Sequence, residues 1–85
     1  MDVDILYFAW VRERIGLDRE EVDPPAEVTD VAGLIAWLAT RSPGHASALG
    51  DPTCLRAAID QKFAGSDALI TGAYEVALFP PVTGG

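Results

Sequence analysis

The sequence predicts a small α+β domain in which one main helix lies on one face of a mixed β-sheet. Three observations predict it. An alternating apolar segment opens the chain at residues 3–9, and another closes it at residues 75–79. Between them Val31, Leu34, Ile35 and Leu38 recur at i, i+3, i+4 and i+7, the spacing of a single helical stripe. One stripe and one apolar sheet face are buried most simply against each other. At 85 residues there is room for one core only. Hydrophobic residues at 49% and charged residues at 22% place the chain among globular sequences rather than disordered ones.

Each element follows from local chemistry. The first strand places Val3, Ile5 and Tyr7 on one face and Leu6 and Phe8 on the other. A short turn of helix over 10–15 is closed by Gly16, and Arg19 to Val22 form a second strand that returns antiparallel to the first. Pro24-Pro25 ends the pairing because neither residue has an N–H to donate. Asp30 is the expected N-cap of the main helix. Gly33 inside it costs about 1 kcal/mol relative to Ala, so something is expected to pack closely there. Ser42-Pro43-Gly44 reads as the end of this helix, and residues 45–52 as a loop or short helical turn. A third strand is expected over 55–61, with a turn around Gly65-Ser66. In the last strand Val76 and Leu78 alternate with Ala77 and Phe79, and Pro80-Pro81 terminates it. The order β-β-α-β-(β)-β is that of a β-grasp domain over residues 1–79, followed by an extended tail over 80–85.

Charge and composition exclude several functions. Thirteen acidic against six basic residues give a net charge of −7, and the pI is about 4.3. Such a chain lacks the Lys and Arg that neutralise phosphates, so neither nucleic acid nor an anionic membrane is an expected partner. A basic protein surface is. With Cys54 and His45 each alone of their kind, no disulfide, thiolate zinc cluster or other metal site is expected. Met1-Asp2-Val3-Asp4 does not resemble the basic start of a signal peptide, and no apolar run is long enough for a bilayer. A cytoplasmic protein is expected. His45 reads as a solvated turn residue, Cys54 as buried and inert, and the acids of residues 18–30 as a solvated edge. No Ser/His/Asp set and no Gly-rich phosphate loop is visible, so the chain is not an autonomous enzyme.

The end of the sequence is different. Val82-Thr83-Gly84-Gly85 follows the double proline directly. With Gly at about 7% of residues, a Gly pair at one fixed place arises in about half a per cent of chains. A frayed terminus or an expression scar is the competing reading. Against it, the proline pair launches the tail in extended form, and the residues from Pro80 to Gly85 reach about 20 Å. That geometry suits an arm inserted into another protein's active site. A terminal carboxylate is a poor electrophile until activated, for example as an acyl-adenylate, and a residue without Cβ lets the activating site close around the backbone. The activated carbonyl then accepts sulfur as a thiocarboxylate or is joined to an amine. The chemistry therefore rests on Gly85 itself.

Two motifs carry a resemblance that spans essentially the whole chain. Phe8-Ala9-Trp10-Val11-Arg12-Glu13-Arg14-Ile15-Gly16 fits the pattern F-A-x-x-R-E-x-x-G, and residues 75–85 fit E-V-A-F-x-P-P-V-[ST]-G-G closely. In both the chain resembles the MoaD family of ubiquitin-like sulfur carriers, the small subunits of molybdopterin synthase. The Pro-Pro separates this ending from that of the related thiamine-pathway carriers. The resemblance implies that an E1-like adenylating enzyme (MoeB type) uses ATP to activate Gly85, and that a sulfur donor protein then forms the thiocarboxylate. It implies docking on a large subunit (MoaE type) in a heterotetramer, with Pro80, Pro81, Val82, Thr83 and Gly84 threaded into that subunit's active site. There the sulfur passes to cyclic pyranopterin monophosphate in molybdenum cofactor biosynthesis. No cofactor is bound by this chain itself. The alternatives are a carrier for another pathway, a ubiquitin-like protein modifier, and a plain interaction module.

The docking surface follows from parity. Phe8 and Phe79 are out of phase with Ile5, Tyr7, Val76 and Leu78, so they belong on the sheet face away from the helix. The resemblance adds Leu6 and Phe63 to this patch, against the plainer reading of ordinary half-exposed strand residues. Two departures from the family stand out. Gly72-Ala73-Tyr74 replaces the usual Asp-Gly-Asp, so a different turn is expected with Tyr74 packed where an acid is usual. Asp60 replaces an Asn, with a weakened structural hydrogen bond expected.

Overall fold

The structure, a computed structural model, describes residues 2–81. Val82, Thr83, Gly84 and Gly85, the tail residues singled out above, lie outside the described residues. The elements are β1 (Val3–Tyr7), α1 (Ala9–Ile15), β2 (Arg19–Val22), α2 (Val31–Leu38), α3 (Pro43–Leu49), a 3-10 turn (Pro52–Cys54), β3 (Arg56–Ile59), β4 (Lys62–Ala64) and β5 (Glu75–Phe79). The sheet order is β2-β1-β5-β3-β4. β1 and β5 are parallel, and the other neighbours are antiparallel. This is the mixed sheet of a β-grasp.

One face of the sheet makes the core. Val3, Ile5, Tyr7, Val22, Ala57, Val76 and Leu78 are buried on it, together with Val31, Leu34, Ile35 and Leu38 of α2. Burying each of the larger side chains contributes about 1.5–3 kcal/mol. The expected cap is present, with Asp30 Oδ1 accepting the Gly33 N–H at 2.8 Å. It also explains the glycine, because a Cβ at Gly33 would stand 3.1 Å from that same oxygen.

Three expectations about connections are corrected. The first strand ends at Tyr7, where extended Phe8 turns the chain into α1. Ser42-Pro43 does not end α2, which closes at Leu38, but starts α3. Ser42 Oγ accepts the His45 N–H at 3.1 Å, and Pro43 stands in the first turn, where its missing N–H is not needed. The same dipeptide serves as stop or start, and the apolar Ala48 and Leu49 later in the segment select the start by burying against the core.

The third correction concerns the hairpin. β3 stops at Ile59, the turn is Asp60-Gln61, and β4 follows at once with Ile59 opposite Lys62 and Ala58 opposite Phe63. Both turn residues are left-handed, at φ 49° and 72°, as a two-residue hairpin of this hand requires. The turn expected around Gly65-Ser66 is present, closed by Ala68 N–H on Gly65 O at 3.1 Å, but it lies past β4. Asp60 is no weakened hydrogen bond either. Its Oδ1 accepts the N–H groups of Tyr74 and Glu75, both at 2.9 Å, tying the hairpin to the start of β5. Asp60→Ala is expected to cost about 1–2 kcal/mol in urea unfolding, whereas Asp60→Asn keeps the acceptor oxygen and stays within about 0.5 kcal/mol. Before β5, Gly72 at φ 81° closes a turn in which Ala73 N–H reaches Ile70 O at 3.0 Å. That is the geometry of a type II turn, which wants glycine at this place. Tyr74 does not pack; it is 84% exposed.

Candidate functional site: the root of the tail and the sheet face beside it

β5 lies between β1 and β3, so the chain leaves the sheet from its middle. Pro80 has no N–H with which to continue either ladder, and Pro80 and Pro81 are half-buried as the chain departs. The face away from the helices is apolar around this exit. Leu6 stands opposite Ala77, and Ala77 opposite Ala58. The Phe63 and Phe79 rings meet at 6.0 Å with a 54° tilt. Phe8 N–H bonds Leu78 O at 3.2 Å, which carries the β1–β5 pairing one residue further and sets Phe8 beside Phe79 in register. Phe63 and Phe8 are exposed, at 85% and 45%. The structure therefore brings Leu6, Phe8, Phe63 and Phe79 onto one face, as parity and the resemblance together imply. Arg56, opposite Phe79 across the β3–β5 ladder, lines with Phe63, Gly65 and Phe79 a shallow hollow of about 400 Å³ at the same exit.

His45 is not a solvated turn residue. It is buried, with Nε2 at 2.6 Å from Glu20 Oε2 and Nδ1 at 2.7 Å from Ser42 Oγ. Tyr7 donates its hydroxyl to Glu20 Oε2 at 2.7 Å, and an Arg41 Nη2 stands 3.5 Å from Glu20 Oε1. Glu20 was grouped with a solvated acidic edge, but its register partner is Ile5, so its side chain shares the core face. Burial alone would raise the Glu20 pKa. Hydrogen bonds from His45 and Tyr7, with the charges of His45 and Arg41, outweigh it and leave the carboxyl below its usual range. Burial first, then the bond and charge of Glu20, push the Tyr7 phenol upward.

This set resembles a catalytic constellation in residue type but not in placement. Its members bond one another on the core face of the sheet, the reverse of the face that carries Leu6 and Phe79, and the His45 and Glu20 side chains are 7% and 13% exposed. It is a structural clamp. The signal that could have found it is the Ser42-Pro43 helix start, which puts His45 in the first turn of a packed helix.

Cys54 is exposed rather than buried. Its Sγ donates to Asp51 Oδ2 at 3.3 Å, and Asp51 caps the 3-10 turn through Thr53 N–H. Bonds from the Thr53 and Cys54 side chains, then from the Thr53 backbone, hold the Asp51 carboxyl below its ordinary range. Among the described residues no cluster of His, Cys, Asp and Glu could hold a metal ion. No helix of theirs is long and apolar enough to cross a membrane.

Among known proteins, the chain is 42% identical over 83 residues to the molybdopterin synthase sulfur carrier subunit of Escherichia coli (strain K12), covering 98% of this chain and 99% of that one. The fold matches the crystal structure of SAMP1 from Haloferax volcanii with a TM-score of 0.76, at 24% identity and over 100% of both chains. It also matches a putative molybdopterin converting factor, subunit 1, from Pyrococcus furiosus with a TM-score of 0.69, at 23% identity over 96% of this chain and 99% of that one. Both likenesses show the ubiquitin-like β-grasp fold. The model of the ThiS family matches residues 5–85, from the first strand through Gly84-Gly85, and the chain belongs to that family.

Proposed function

We propose that this chain is the sulfur carrier subunit of molybdopterin synthase. The observation that carries the reading is near-full-length identity of 42% to a protein of that role. The geometry supports it, because a central strand ends in Pro80-Pro81 beside an apolar face and Gly84-Gly85 follows. The Gly85 carboxylate attacks the α-phosphate of ATP in an E1-like enzyme of the MoeB type, with pyrophosphate leaving. Sulfur from a donor protein then displaces AMP and leaves a thiocarboxylate. The large subunit (MoaE type) receives the tail, Pro80 to Gly85, and holds the cyclic pyranopterin monophosphate that takes the sulfur. This chain binds no cofactor of its own, since ATP belongs to the activating enzyme's site.

The test is the intact mass of the chain after incubation with adenylating enzyme, ATP and sulfur donor. Exchange of one oxygen for one sulfur at Gly85 is expected. An unchanged mass under conditions that charge a control carrier overturns the reading.

Docking is assigned to Leu6, Phe8, Phe63 and Phe79. Ring truncation at the centre of such a face typically costs about 2 kcal/mol or more. Phe79→Ala is therefore expected to weaken binding to the large subunit by about 30-fold, read by titration calorimetry.

A further inference from the structure

The geometry points to Arg56 as a specificity-determining residue of this face: an acidic side chain of the large subunit seats its carboxylate on the Arg56 guanidinium in the hollow between Phe63 and Phe79. The inference rests on the reading that the chain docks by this face, and it names the chemistry of the partner there.

Arg56 is a cation at the tail exit, exposed and in register with Phe79 across the β3–β5 ladder. Three other arginines are engaged within the chain. Arg19 pairs with Asp4 at 2.6 Å, Arg41 faces Glu20 at 3.5 Å, and Arg14 stacks on the Trp10 ring at 4.5 Å. Arg56 makes one bond, from Nη1 to the Leu55 carbonyl at 3.0 Å, and among the described residues no carboxylate pairs with it. A guanidinium has five N–H donors in a fixed fork, so most of its donors remain for a partner.

The register shows why three of the chain's acids do not reach it. Asp4 and Glu75 face each other at the start of the β1–β5 pair, and Asp60 binds the N–H groups of Tyr74 and Glu75 there too. These acids gather at the end of the strands opposite the tail. The net charge of −7 describes the chain at long range, where a basic partner surface is the natural match. At the tail exit the local requirement has the opposite sign. Covering Phe63 and Phe79 with a partner also strips water from Arg56, and a desolvated charge left unpaired is costly. A carboxylate meets the fork through two parallel bonds. Because Arg56 lies across from the last residue before Pro80, that pair also fixes the direction in which the tail enters.

The test uses the full chain and the large subunit, with affinity measured by calorimetry at low and high salt. Arg56→Glu is expected to weaken binding by about 30-fold or more, the loss seen when one member of a covered charge pair is replaced. Arg56→Gln loses less and flattens the salt dependence. Arg56→Lys keeps the charge without the fork and loses only several-fold, about 3 to 10. Thermal melting stays unchanged in all three, since the residue is exposed. If Arg56→Glu and Arg56→Gln bind like the unaltered chain while Phe79→Ala is weakened, the face docks without a carboxylate and the inference is overturned. If Phe79→Ala also binds normally, the docking face itself is wrong and the inference falls with it.

Discussion

Deleting Gly85 is expected to reduce sulfur transfer below detection while the domain melts as before. On the proposed chemistry the reacting group is the backbone carboxyl of that residue, so deletion moves it to Gly84, about 3.5 Å short of its place. In a positioned active site a misplacement of about 1 Å already costs about 100-fold. Gly85→Ala leaves the carboxyl in place but adds a Cβ where the activating site closes on the backbone, and an intermediate loss of about 10- to 100-fold is expected. The strands, helices and core described above lie within residues 2–81, so both variants should stay within about 0.5 kcal/mol of the unaltered chain. Single-turnover transfer with the large subunit, beside a thermal melt, separates the two effects. Retained transfer in the deleted chain would place the chemistry elsewhere.

Glu20→Ala is expected to have the largest effect on stability among changes outside the apolar core, about 2–4 kcal/mol. It strands two buried donors at once, the Tyr7 hydroxyl and His45 Nε2, both of which end on Glu20 Oε2. A domain of this size is stable by about 4–13 kcal/mol in all, so the loss is a large share. Glu20→Gln keeps an acceptor oxygen at the same place and is expected to cost only about 1 kcal/mol.

The pH dependence has a definite sign. The folded Glu20 carboxyl lies below its ordinary value of 4.5, so the unfolded chain takes up the proton first. The contribution is complete above that value and is lost as pH falls through the folded one. Urea midpoints of the unaltered chain and Glu20→Gln should therefore converge as the pH falls below 4.5. A constant gap would show that the Glu20 charge contributes nothing. Tyr7 acts at the other limit. Its neutral form is held by burial, so stability declines as pH rises above 10.0, the ordinary value for the phenol.

Elements whose face assignment follows from period alone were legible in the sequence. The alternation of β1 and β5, the α2 stripe and the Asp30 cap each needed only local chemistry, and the same parity put Phe8 and Phe79 on the outer face. The misses share a cause. Ser42-Pro43 is locally a helix stop as readily as a helix start, and only the burial of Ala48 and Leu49 decides. Asp60-Gln61 is a poor turn by composition, held in left-handed geometry by strand pairing on both sides and by bonds to Tyr74 and Glu75. Glu20 and His45 are 25 residues apart and meet only once β2 and α3 are placed. No sequence spacing announces such a pair. Arg56 was not singled out because its isolation depends on where thirteen acids fall in the fold.

The central position of β5 also bears on how the chain reaches its native state. The strand is made last, yet it is the one on which β1 and β3 both depend. Until residues 75–79 emerge from the ribosome, β2-β1 and β3-β4 are two separate strand pairs with no shared sheet. The parallel β1–β5 pair joins residues about seventy apart, a distant contact of the kind that slows folding. Synthesis therefore completes the core only once residues 75–79 are available. Any lesion that prevents β5 from inserting separates Phe79 from Phe63 and Phe8 and so dismantles the apolar face assigned to docking.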